Sequence, residues 1–225
     1  MTITGASMIR HPQNTNLHFY YEDSFQGFPV QAMHGPLIVP YLDLLSLTMQ
    51  RALTEHPRVF AFRVDLRLPE GLDSAPYLDS NIVIERFIAS FKAKIRHNRT
   101  QATQKYGRAH GTSVRYVWAR EIGHSGRPHF HLVIFLNNDA FCSLGKFEPG
   151  RKNMFNRLQE AWASALGQSV HSVTGLVGIP DNPCYYPRRD DPASVAELLY
   201  RASYLCKGAT KSYGNGCHAF GASRC

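Results

Sequence analysis

Between Val59 and Pro69 the chain alternates. Phe60, Phe62, Val64, Leu66 and Leu68 hold one phase, and Ala61, Arg63, Asp65 and Arg67 hold the other. A period of two predicts a strand with one face in a core and a polar, partly basic outer face. Downstream the period changes. Ile84, Phe87, Ile88, Phe91 and Ile95 recur at helical spacing, and Lys92, Lys94 and Arg96 load the last turns with charge that suits the helix dipole. His97 to Gly111 reads as a polar linker. SVRYVWARE is a second strand, Gly123 and Gly126 mark a turn, and PHFHLVIFLN follows, so Ser113 to Leu136 reads as a hairpin.

Arg151 to Leu166 is expected to be helical, with Phe155, Leu158, Trp162 and Leu166 on one face. VTGLVGI reads as a short strand, and the proline-rich PDNPCYYPRRDD as a loop. A last helix runs through PASVAELLYRASYLCKG, with Asp191 as N-cap, Pro192 at its first position and Gly208 as its stop. The first 55 residues read irregularly, apart from a helix over Val39 to Leu53. Strand, helix, hairpin, helix, strand, helix predicts an α+β fold, an antiparallel sheet with flanking helices. Three parts are expected: an N-terminal extension over 1–55, the main domain over 56–215, and a tail over 216–225 that is loop or a final hairpin.

Composition narrows the class. No apolar run approaches the roughly 20 residues of a membrane span, and MTITGASMIRHPQNTNLHFYYED has no apolar core of signal type. A cytoplasmic protein is expected, without a membrane partner. The five cysteines, at 142, 184, 206, 217 and 225, include no CxxC pair, which argues for reduced thiols over a disulfide framework or a structural zinc site. The net charge of +8 favours a polyanionic partner. From Lys92 to Arg127 there are nine Lys or Arg and one acid, Glu121, interleaved with Tyr106, Tyr116 and Trp118. Nucleic acid is the expected partner, with Arg63, Arg67, Arg115, Arg120 and Arg127 for phosphates and Trp118 for stacking on unpaired bases.

GRPHFHLVIF carries the chemistry. In a strand, residues i and i+2 share a face, so His129 and His131 present their imidazoles side by side while Phe130, Leu132, Ile134 and Leu136 enter the core. The pair can chelate one divalent ion, or simply pack at a sheet edge. Metal sites usually need a third ligand. Glu121, across the Gly123–Gly126 turn, can reach His129; His124, in the turn, competes. The bland alternative for Glu121 is a salt bridge to Arg120 or Arg127.

On the last helix Tyr200, Tyr204 and Lys207 fall within an arc of about 60°. Val195, Leu198, Leu199, Ala202, Leu205 and Cys206 supply the opposite, apolar side. A phenol with an ordinary pKa near 10 is a poor nucleophile at neutral pH. A metal that polarises a phosphate and a lysine one turn away would help it.

His-hydrophobic-His followed by YxxxYxxK resembles the HUH endonuclease superfamily of rolling-circle replication initiators and relaxases. AREIGHSGRPHFHLVIF and LLYRASYLCKGATKSYGNG are similar to the inovirus replication-protein group, including its YagK/YfjJ-like domains. The resemblance covers about residues 56 to 215. It implies a ferredoxin-like fold, and His129, His131 and Glu121 holding Mg²⁺ or Mn²⁺. Tyr204 would nick single-stranded origin DNA to leave a 5′-phosphotyrosine and a 3′-OH. Tyr200 would be the second nucleophile, and Lys207 would support the phosphate. The first family motif is only loosely matched by FAFRVDLRLP. No GxxxxGK[ST] loop occurs, so a host helicase and replication machinery are expected partners. A non-catalytic nucleic-acid-binding regulator and a metal hydrolase using activated water are the competing readings.

Overall fold

The computed structural model describes residues 9–72, 75–123 and 126–224. Its strands and helices are β1 (Arg10–His11), β2 (Asn14–Tyr20), β3 (Ser24–Phe25), β4 (Phe28–Pro29), β5 (Leu37–Ile38), α1 (Val39–Glu55), β6 (Val59–Arg67), α2 (Ala75–Leu78), α3 (Ile82–Tyr106), β7 (Arg115–Ile122), β8 (Pro128–Asn137), α4 (Met154–Leu166), β9 (Val177–Gly178), β10 (Cys184–Tyr185), α5 (Pro192–Ser203) and β11 (Phe220–Ala222).

The main sheet runs β10-β6-β8-β7-β11, with β9 also against β6, and every pairing is antiparallel. β6, α3, β7, β8, α4 and β10 trace a split βαβ, the ferredoxin-like order in which the first and third strands lie side by side at the centre. The α+β class and the antiparallel sheet with flanking helices are therefore as expected. Among the described residues, no helix is long and apolar enough to cross a membrane, and the described cysteines are free thiols.

The alternation of β6 and β8 makes two cores. Phe62, Val64, Leu66, Phe130, Leu132 and Ile134 pack beneath α3 and α4. The opposite phase, Ala61, Val133 and Phe135 with Val117 and Ala119 of β7, packs beneath α1 and α5 through Leu42, Leu45, Leu198, Leu199 and Ala202. Burying one such large apolar side chain contributes about 1.5–3 kcal/mol. The expected outer face of β6 is thus covered for the first half of its length. α1 is part of this second core, so the division expected at residue 55 does not coincide with a boundary in the packing.

Several local expectations change: the N-terminal residues expected to be irregular carry the short strands β1 to β5, and the proline-rich loop supplies β10, which pairs with β6. The polar linker after His97 is helical to Tyr106: nothing before Gly107, in the left-handed region at φ 75°, breaks a run rich in helix formers, although the apolar stripe ends at Ile95. VTGLVGI yields only the two residues of β9. The last helix stops at Ser203 and tightens into a 3-10 turn over Tyr204–Cys206. The tail supplies an edge strand: Phe220, Gly221 and Ala222 pair with Ala119, Trp118 and Val117. The start of α5 is as expected, since Asp191 accepts from the amides of Ala193 and Ser194 and Pro192 opens the helix.

Candidate functional site

The site grows from the register of three strands. In β7–β8, Glu121 stands opposite His129 and Ala119 opposite His131. In β6–β8, Asp65 stands opposite His131 and Arg67 opposite His129. Glu121, Asp65 and both histidines therefore share the sheet face that α1 and α5 cover further along. The small Ala119 leaves room beside His131. The two imidazoles meet edge to face, 4.9 Å between centroids.

Asp65 holds His131 at Nδ1 over 2.6 Å. A carboxylate only accepts, so Nδ1 donates to Asp65, and Nε2 lies 3.8 Å from Glu121 Oε2. One donor atom from each of Glu121, His129 and His131 lies within 4.8 Å of the others. With metal–ligand bonds of about 2.0–2.2 Å, one ion could join them after small side-chain adjustments. Burial, reinforced by His131, lowers the pKa of His129, against the pull of Glu121 and Asp65, and keeps it neutral at pH 7, the form that ligates. Burial alone would raise the Glu121 pKa. Lys211, Thr210, Lys207 and His131 together outweigh it and keep the carboxylate ionised. This donor set fits a divalent cation, and the hydrogen-bonded carboxylate behind His131 is the arrangement that orients ligating histidines.

The segment after α5 closes over Glu121. Residues i and i+3 eclipse in a 3-10 turn, and Lys207 Nζ donates to the Tyr204 hydroxyl at 2.6 Å. The same ammonium lies 3.3 Å from Glu121 Oε2. Lys211 reaches Glu121 Oε1 at 3.4 Å and donates to the Lys207 carbonyl at 2.7 Å; burial pushes its pKa down to about 8 although Glu121 opposes this. Thr210 Oγ1 donates to Glu121 Oε2 at 2.6 Å. The N-terminal segment sets the turn from the other side. The Gln31 side chain donates to the carbonyls of Tyr200 and Arg201, its amide donates to Ser203 Oγ, and the His34 ring packs edge-on against Tyr204. Gly208 donates its N–H to Pro36 O; it marks a close approach rather than a helix stop, since a Cβ there would stand 3.0 Å from Phe19.

The structure thus brings together His129, His131, Glu121, Lys207 and Tyr204. Tyr200 lies a turn earlier, half-buried, and its hydroxyl makes no hydrogen bond among the described residues. Glu121 is not the partner of Arg120 or Arg127. Arg120 points to the other face, buried, and donates to Leu78 O. His124 lies outside the described residues.

The expected nucleic-acid contacts divide. Arg67 and Arg127 line a cavity of about 320 Å³ together with Asp65, Glu70, His129 and His131. Arg127 also donates to the carbonyls of Pro69 and Leu72. Arg63 is half-buried on the same face as Asp65 but does not line the cavity. Arg115 is paired with Glu55 at 2.8 Å. Trp118 is 7% exposed and packs against Phe130 and Gly221, so only a small part of its ring reaches the neighbouring cavity and it is no open stacking platform. The burial of Trp118 and that of Arg120 have one cause: positions 118 and 120 belong to the phase of β7 that faces α3. Asp65, Thr210 and Lys211 were not among the expected site residues. The phase of Asp65 within β6 and the KxxxK spacing of Lys207 and Lys211 were the available signals.

The family model for the YagK/YfjJ C-terminal domain matches residues 21–223. The uncharacterized protein YfjJ of Escherichia coli (strain K12) is 33% identical over 201 residues, 84% of this chain and 96% of the relative. The uncharacterized protein YagK of the same strain is 31% identical over 204 residues, 86% of this chain and 97% of the relative. No solved structure matches the chain.

Proposed function

The chain belongs to the YagK/YfjJ C-terminal domain family, and we propose that it is a metal-dependent DNA-nicking and strand-joining enzyme of HUH type, acting on single-stranded DNA at a replication origin. One observation carries the reading: the Tyr204 hydroxyl, the Lys207 ammonium and the Glu121 carboxylate form a continuous chain of contacts of 2.6 and 3.3 Å beside two imidazoles that converge with Glu121. A structural lysine would need only the carboxylate, and a structural tyrosine would not need the lysine.

A divalent ion held by His129, His131 and Glu121 would polarise a non-bridging phosphate oxygen and offset charge developing on it. Two imidazoles and one carboxylate suit Mn²⁺ better than Mg²⁺, which prefers an all-oxygen shell. Lys207, donating to the phenol oxygen, stabilises the phenolate. The Tyr204 oxygen then attacks phosphorus, the P–O3′ bond breaks, and the 5′-phosphate stays on Tyr204. The proton lost by the phenol is balanced by the one the 3′-oxygen takes up. Asp65 holds His131 in one tautomer and orientation. Arg67, in the cavity beside the histidines, would meet backbone phosphates. Tyr200 is the candidate for the second transfer, and unwinding is left to a separate helicase.

The test is a denaturing gel of the protein mixed with end-labelled single-stranded DNA of varied sequence and Mn²⁺. A DNA-linked protein band is expected with Mn²⁺. It should vanish with chelator, in Tyr204→Phe and in His129→Ala/His131→Ala, and persist in Tyr200→Phe. Cleavage without any adduct would make water the nucleophile and overturn the tyrosine mechanism.

A further inference from the structure

Away from the histidines, on the opposite face of the sheet, α3 and α4 lie side by side. A cleft of about 580 Å³ runs along them, lined by Lys94, His97, Arg151, Lys152 and Arg157. A second cavity of about 300 Å³ continues it past Phe141 and adds Arg99; Lys152 and Arg157 line both. Glu160 is the only acid lining either, and Lys94 engages it at 3.2 Å. Arg151 is paired with Glu148. Arg99, Lys152 and Arg157 pair with no carboxylate among the described residues.

Two of these cations are held together. The guanidinium carbons of Arg99 and Arg157 lie 4.4 and 5.9 Å from the centre of the same Phe141 ring. Burial pulls both below the ordinary arginine value; for Arg157, Glu160 opposes this and Arg99 adds to it. Half-buried like charges backed by one ring repel each other until an anion arrives. The ring restricts the guanidiniums, so less freedom is lost when they bind. The cations repeat along two joined cavities, which suits a polymer of phosphates better than one small anion.

We propose that the α3–α4 cleft binds the phosphodiester backbone of nucleic acid, at a site separate from the histidine–tyrosine cluster. Such contacts hold the strand and carry no base preference. They need neither the metal nor Tyr204, so this site stands or falls independently of the nicking reading.

The experiment is fluorescence anisotropy of the full chain with a labelled oligonucleotide of roughly 20 bases, in chelator and across a salt series. Lys152→Ala/Arg157→Ala is expected to weaken binding by about ten-fold or more at low salt and to flatten the log K against log salt slope by about one to two. Lys152→Glu changes an exposed side chain and should weaken binding in the same direction; it decides the matter if the double variant fails to fold. The exposed pair Arg10→Ala/Arg86→Ala removes the same net charge elsewhere and should change affinity less than about two-fold. Wild-type affinity and slope in Lys152→Glu, or an equal loss in the Arg10/Arg86 control, would overturn the proposal.

Discussion

On the face of the sheet beneath α3 and α4, the positions from Phe60 to Leu66 and from Phe130 to Leu136 are apolar without interruption and closed to water. On the opposite face the same strands are apolar for only half their length. Ala61, Val133 and Phe135 lie under α1 and α5, and then Asp65, His131, His129 and Glu121 take over. The backbone is equally well paired on both stretches, so pairing does not distinguish them. The difference is what covers each. α1 and α5 bring apolar side chains, whereas the segment from Tyr204 to Lys211 brings a phenol, a hydroxyl and two ammonium groups. One face is built for stability, and the far end of the other can hold polar groups because that stability is secured behind it.

The comparison predicts separable losses. Phe130→Ala, between the two histidines in sequence but facing the core, should cost about 4 kcal/mol in urea unfolding. His129→Ala/His131→Ala should cost about 1 kcal/mol without metal; a loss as large as that of Phe130→Ala would break the division between the faces. Glu121→Gln crosses the division. It leaves two buried ammonium groups without their counter-charge and should cost about 3 kcal/mol in the same measurement.

Two smaller effects sharpen the picture. Asp65→Asn should weaken Mn²⁺ binding in calorimetry by about 10–100-fold while leaving the fold intact. Unchanged affinity would make the Asp65–His131 contact purely structural. Gln31→Ala removes the donors to the Tyr200 and Arg201 carbonyls and should cost about 1 kcal/mol, a melting shift of about 2–4 °C. A larger fall would mean that the N-terminal segment carries more of the second core than its contacts suggest.

The histidine pair and its third partner were legible because both rest on short-range rules. Alternation puts positions 129 and 131 on one face, and a tight turn sets Glu121 against His129. The tyrosine and lysine were legible as a spacing, although the geometry that joins them is a 3-10 turn and not the continuous helix the spacing predicted. Trp118 and Arg120 were misplaced because a basic, aromatic stretch shows composition while the phase of β7 decides which side chains reach solvent. Asp65 was out of reach from spacing alone: it meets His131 only because β6 lies beside β8, more than sixty positions away in the chain.

The sequence by itself determined what local periodicity can carry: the strand and helix phases, the start of α5, the α+β class, and the face on which the imidazoles stand. Backbone stereochemistry enforces those periods residue by residue. Only the tertiary structure decided that α1 seals half of the second face, that Asp65 orients His131, and that Lys207, Thr210 and Lys211 surround Glu121. Each of these depends on which distant segments pack together, and that is settled by burial summed over the whole chain, which no single stretch contains.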